Sequence, residues 1–113
     1  MIEKKFDIGI TAVVYNGYGR FLNDWLKSIY SLKTPPTQIT IVLGKDHGVG
    51  AGIQWPPMVN LIYADTVDDL GTLKDIAVRN THTEWIMGMS IDDEVAPWAI
   101  DEFKKHTKAD IIV

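Results

Sequence analysis

Apolar and polar positions alternate in two different periods along the 113-residue chain. Ile8 to Tyr15 is a continuous apolar, β-branched run and reads as a buried strand. Asn16-Gly17-Tyr18-Gly19 breaks it with turn residues. From Arg20 the period changes: Leu22, Trp25, Leu26, Ile29 and Tyr30 recur at helical spacing, with Asn23, Asp24, Lys27 and Ser31 on the other side. Pro35-Pro36 closes that unit, because the residue before a proline is pushed out of the helical region. Ile39 to Leu43 is a second strand, which completes a right-handed βαβ crossover.

Gly44 to Pro57 is a long irregular stretch, read as a mobile surface loop. Its Gly48-Val49-Gly50-Ala51-Gly52 resembles a dinucleotide-binding turn only superficially, because Ile53-Gln54-Trp55-Pro56-Pro57 cannot open the helix that would receive a pyrophosphate. Val59 to Tyr63 is a short third strand. Leu70, Leu73, Ile76, Ala77 and Asn80 form a helical stripe, with Lys74, Asp75 and Arg79 off it. Trp85 to Met89 is a further strand, expected at the centre of the sheet, and Pro97 to about Lys105 a last helix. Ala109 to Val113 has the character of another strand, and the chain ends there. The alternation predicts an α/β domain over residues 1–113 with a mostly parallel, Rossmann-like sheet and helices on both faces. It reads as the front half of something larger, with exposed apolar surface near Trp98, Phe103 and Ile111 to Val113 and a possible homo-oligomer.

Candidate chemistry concentrates where the Trp85 run meets Asp92, Asp93 and Glu94. In open α/β sheets, ligands bind outside the carboxyl ends of the strands. Adjacent acids there suit a hard cation, and Mg²⁺ commonly bridges one or two carboxylates to substrate phosphates. The same acids also suit the N-terminus of the helix that Pro97 opens. Both readings stand at this level. From the residues alone Tyr15 reads as a core tyrosine with a satisfied hydroxyl and Asn16 as a turn residue. Trp25, Trp85 and Trp98 are assigned to the core, and Trp55 is the tryptophan expected to cover a ligand or partner. His47, His82 and His106 show no ligand spacing and are read as surface histidines.

Composition narrows the classes. Hydrophobic residues make up 46% and charged residues 23%, as in an ordinary globular domain. The net charge of -4 argues against a nucleic-acid-binding face, which needs a basic patch. No cysteine is present, so disulfide and thiolate chemistry are excluded. The amino terminus lacks the apolar centre of a signal peptide, and no run approaches the ~20 residues of a membrane span. A cytoplasmic location is the expectation.

Taken in order, these motifs resemble the nucleotide-binding half of GT-A fold glycosyltransferases, in particular the large inverting family numbered two. Val13-Val14-Tyr15-Asn16 is similar to that family's Pro-Thr-Tyr-Asn strand end, Glu84-Trp85-Ile86 to its Gly-Glu-Tyr-Ile, and Ser90-Ile91-Asp92-Asp93 to its D-x-D-D metal motif, followed by Pro97. Asp69-Leu70-Gly71 stands where the family often has Asn-x-Gly. The resemblance implies binding of a nucleotide-diphosphate sugar, UDP-sugar foremost, with Mn²⁺ or Mg²⁺ on Asp92 and Asp93. Tyr15, Asn16, Asp46, Lys74 and Asp92 would contact the nucleotide. Three departures stand out. Leu43-Gly44-Lys45-Asp46 replaces the family's Asp-Asp-Gly-Ser, whose first acid holds the base. Leu73-Lys74-Asp75 replaces Ala-Arg-Asn, and Ser90 replaces the first acid of D-x-D-D. In that family the catalytic base is a carboxylate of the later half, so none is named here. The alternative is a non-catalytic interaction module on the same fold.

Overall fold

The computed structural model describes residues 6–50 and 52–107. Its elements run β1 (Ile8–Val14), a 3-10 turn (Tyr18–Phe21), α1 (Leu22–Tyr30), β2 (Gln38–Leu43), β3 (Val59–Tyr63), α2 (Leu70–Arg79), β4 (Trp85–Gly88) and α3 (Ala99–Lys104). The expected strand at Ala109 to Val113 lies outside the described residues. The four strands pair in the order β3-β2-β1-β4, and every pairing is parallel.

The strands read as continuous apolar runs because a parallel sheet is covered on both faces. Ile8, Ile10, Ala12 and Val14 of β1, with Ile39, Ile41 and Leu43 of β2, face the larger core, which Leu22, Trp25, Leu26 and Ile29 of α1 and Ile100 of α3 complete. The intervening positions face α2: Val42 packs with Leu73 and Ala77, and Val13, Tyr15 and Ile62 border them. Helices therefore cover both faces, as the pattern predicts. The amino end of β2 and the carboxyl end of α2 are tied by a polar knot. The Thr81 hydroxyl donates to the carbonyl of Ala77 (2.7 Å) and shares a hydrogen bond with the Thr40 hydroxyl (2.8 Å). The Gln38 amide reaches the carbonyl of Asn80 (3.0 Å).

Three expectations need correction. Among the described residues β4 is an edge strand, not the centre; β1 is central, with β2 on one side and β4 on the other. The burial pattern agrees, since β1 is buried almost throughout whereas Trp85, Ile86 and Met87 are only half-buried. Trp98 is not core: it is 57% exposed, because α3 buries Ile100 and turns Trp98 outward at its amino terminus. Phe103, by contrast, packs edge-on against Trp85 at 5.5 Å between ring centroids.

The third correction concerns the long loop, whose first part is firmly held. The backbone N–H groups of Asn16, Gly17 and Gly19 donate to the carbonyls of Lys45, Asp46 and His47 at 3.0, 2.6 and 2.8 Å. The imidazole Nδ1 of His47 accepts from the N–H of Val49 (3.0 Å). Val49, Ile53 and Trp55 pack against the larger core and take the place of a crossover helix between β2 and β3. A cβ at Gly50 or Gly52 would meet nothing within 4 Å, so only this tip is open.

Helix α2 starts at a true cap. The Asp69 carboxylate accepts from the N–H of Thr72 (2.9 Å) and from its hydroxyl (2.7 Å). These bonds, the hydroxyl's foremost and then the backbone's, hold the carboxyl below its ordinary pKa. A depressed folded-state pKa stabilises the fold in full above the ordinary carboxylate range, and the contribution is lost as pH falls through the lowered value. We expect Asp69→Ala to melt below the wild type at neutral pH, and the two melting curves to converge in acid. A gap that persists unchanged into strong acid would show that the charge of Asp69 is irrelevant to the cap.

Candidate functional site

The strand order places a switch point between β1 and β4. From β1 the chain builds outward through β2 to β3, then returns over α2 to add β4 on the other side. The connections leaving β1 and β4 therefore diverge and open a crevice at their carboxyl ends, where such sheets bind ligands. A cavity of about 580 Å³ occupies this crevice on the α2 face. Its size falls within the range of small-molecule sites. Thr11, Val13 and Tyr15 form one side, Ile86, Gly88 and Ser90 the other, and Leu70, Lys74, Ala77 and Val78 of α2 the wall between them and solvent.

Tyr15, Lys74 and Asp92 all line this one cavity, although 59 and 18 residues separate them in sequence. Ser90, at the place of the first acid of the metal motif, lines it too. The Tyr15 and Tyr18 rings meet edge-on at 5.9 Å and make an aromatic corner. Asn16, Asp46 and Asp93 are exposed and stand outside the lining. Asn16 and Asp46 both adopt left-handed backbone, with φ of 50° and 55°, which asparagine and aspartate tolerate better than most residues. The ladder that joins their two loops uses main-chain groups of both residues.

The acidic loop is held by its apolar neighbours. Ile91 and Val95 are 4% and 5% exposed, and between them Asp92, Asp93 and Glu94 face solvent. The N–H of Asp93 closes a turn onto the carbonyl of Ser90 (3.1 Å), and the N–H of Val95 donates to the Ser28 hydroxyl on α1 (3.1 Å). These acids do not cap α3. Its N-cap position is Trp98, with no side-chain cap bond, and its first-turn acids are Asp101 and Glu102. The helix-cap reading of Asp92 to Glu94 is thereby removed. Among the described residues, no three His, Cys, Asp or Glu side chains converge as a complete metal site. Asp92 and Asp93 offer hard oxygen donors, but any Mg²⁺ or Mn²⁺ there would take its remaining ligands from phosphate and water, as Mg²⁺ commonly does.

Several lining residues escaped the sequence reading. Gly88 interrupts the apolar run Trp85-Ile86-Met87, and a glycine inside a strand marks a close approach. Thr11 is a polar residue within a buried strand; it is 6% exposed and lines the cavity. Both signals were present in the sequence. Leu70 and Val78 carried none, since they belong to an ordinary helical stripe or its margin. Trp55 lies against the core and not in this cavity. A second cleft of about 560 Å³, between α1 and the 49–54 loop, contains none of the nominated residues.

No protein-family model matches the chain, and no curated protein matches it. Among solved structures it superposes on S. aureus TarS 1–349 with a TM-score of 0.66 and 14% sequence identity. The match covers 88% of this chain and 32% of that one, so this chain spans about a third of TarS 1–349. At that identity the likeness is one of fold. The likeness extends to the α/β architecture described above, a parallel sheet between helices. No helix among the described residues is long and apolar enough to cross a membrane.

Proposed function

We propose that this α/β domain is the donor-binding part of a glycosyltransferase, binding the donor of an inverting, family-two-type sugar transfer, a nucleoside-diphosphate sugar such as a UDP-sugar, together with Mn²⁺ or Mg²⁺. The observation that carries the reading is the convergence of Tyr15, Lys74 and Asp92 on one cavity at the sheet's switch point. The three supply the chemistry that a nucleoside diphosphate needs. The Tyr15 ring offers an aromatic surface for a base. The Lys74 ammonium is a compact point charge for phosphate oxygens, without the fork of an arginine. Asp92, with Asp93 beside it, supplies carboxylate oxygens to a divalent cation. When bound, such a cation acts as a Lewis acid on the departing diphosphate. The chain's own residues hold and orient the donor; the general base that deprotonates the acceptor is assigned to none of them.

Since two carboxylates make an incomplete cation site, metal and nucleotide are expected to bind cooperatively. Titration calorimetry with UDP tests this. Mn²⁺ should tighten UDP binding to the wild type. Asp93→Asn, which keeps the shape and removes one charge, should weaken UDP by about tenfold (~1.4 kcal/mol) in Mn²⁺ and leave it unchanged in EDTA. Equal affinities in all four measurements would remove the metal–diphosphate reading.

A further inference from the structure

The cavity's polar lining has an unusual composition. Apart from Lys74 and Asp92, every polar side chain in it is a hydroxyl: Thr11, Tyr15, Tyr18 and Ser90. No asparagine, glutamine, arginine, histidine or glutamate takes part. A hydroxyl rotates and serves as donor or acceptor as its partner demands, whereas amides, carboxylates and guanidinium groups present fixed patterns. Strong rejection of a wrong ligand arises when it leaves such a committed polar group unpaired.

Much of the main chain on the β1 side of the cavity is also committed. The carbonyl of Thr11 accepts from the N–H of Met89 (2.9 Å), that of Val14 from Gly44 (2.8 Å), and that of Ser90 from Asp93 (3.1 Å). Strand β1 is paired on both sides.

The carboxyl end of β2 contributes nothing polar either. Leu43 is 2% exposed and faces the larger core, on the opposite side of the sheet. Gly44 is buried on the α2 side, and a side chain there has no room: a Cβ would lie 2.8 Å from the carbonyl oxygen of Val67 and from a Leu73 methyl. Asp46, two residues on, stands outside the lining.

We infer that the cavity holds a nucleobase by its faces, between the Tyr15–Tyr18 corner and the apolar wall of Leu70, Val78 and Ile86, and does not select which base it takes. This rests on the proposed donor binding and concerns its specificity. Base–aromatic stacking tolerates any base because every base has a π-face. The buried Thr11 hydroxyl serves a keto oxygen, a ring nitrogen or an amino group alike. Affinity then comes from the diphosphate, the cation and stacking.

The test is calorimetry on the full chain in Mn²⁺ with UDP, CDP, GDP and ADP, and with inorganic pyrophosphate as control. All four nucleotides should bind within tenfold of one another, each more tightly than pyrophosphate. Tyr15→Leu should weaken all four by a similar factor and leave pyrophosphate unchanged. Thr11→Val, close to isosteric, should likewise preserve their ranking. A preference above tenfold for one base, or a variant that affects one base alone, overturns the inference and leaves donor binding standing. Pyrophosphate binding as tightly as the nucleotides also overturns it, because the base would then make no contact. Failure of all five ligands to bind removes the proposed function itself.

Discussion

Gly88→Val is expected to abolish most nucleotide binding while the fold stands. Gly88 ends β4 on the strand face that looks into the cavity, beside Thr11. A Cβ placed on it would meet the Thr11 hydroxyl oxygen at 3.7 Å, an ordinary contact, so the fold accepts the side chain. Its backbone has no positive φ, and valine favours strands. The added methyls would instead occupy space that the ligand needs. Forcing such overlap costs about 1–3 kcal/mol, or roughly ten- to a hundredfold in affinity. Calorimetry with UDP and Mn²⁺ should show that loss, and thermal melts should show a transition equal to or above the wild type. Undiminished binding in the valine variant would place the ligand elsewhere on the molecule. The second cleft beside α1 would then be the next site to test.

Gly19→Ala should have the opposite signature, a loss of stability in which the site follows. Its Cβ would lie 2.6 Å from the carbonyl oxygen of His47 and from the carbonyl carbon of Gly48, and 2.7 Å from the nitrogen of Val49. All three are main-chain atoms, so no side-chain rotation relieves the clash. The two loops must separate, and the 2.8 Å bond from Gly19 to His47 weakens with them. The expected cost is about 1–3 kcal/mol. For a domain of this size each kcal/mol lowers the melting temperature by roughly 4 °C or more. Gly50→Ala is the matched control. It faces open space and has no positive φ, so it should melt at or slightly above the wild type, by about 0.4–1 kcal/mol through the unfolded chain. Should both alanines melt together, the junction between the Asn16–Gly19 turn and the Lys45–Val49 segment does not contribute to stability. Tyr15 and Tyr18 flank this junction, so Gly19→Ala should also weaken nucleotide binding, whereas Gly50→Ala should not.

The contrast between these glycines shows where sequence reading stops. Gly48, Gly50 and Gly52 look alike in sequence and suggest one loose loop. In the fold, Gly48 takes a positive φ of 74° against the Asn16–Gly19 turn, while Gly50 and Gly52 face open space. Only the approach of a second loop, about 30 residues earlier in the chain, separates their roles. The acidic loop is similar. Local spacing allowed either a cation site or a helix cap, because Pro97 so often opens a helix. The cap alternative fell when α3 began at Ala99, behind Trp98, and left Asp92 to Glu94 without a helix end to serve; the cation reading is a matter for the titrations.

What the sequence by itself determined is the set of elements and their faces. The runs at Ile8 and Ile39 had to become buried strands, and the 3.6-residue stripes at Leu22 and Leu70 had to become helices, because those periods alone put the apolar side chains on common faces. That alternation implied a parallel sheet between helices, and Tyr15 and Asp92 at carboxyl ends of strands. Strand order was beyond it. Whether β4 lies inside the sheet or at its edge depends on which neighbour β1 accepts, and periodicity is blind to that choice. Among the described residues, the edge position leaves no helix packed directly on the α2 face of β4, and the cavity forms there between β4 and α2. Thr11, Gly88, Leu70 and Val78 thus became site residues through tertiary placement. Their local sequence only says strand or helix, and a binding cavity is a property of the space between elements.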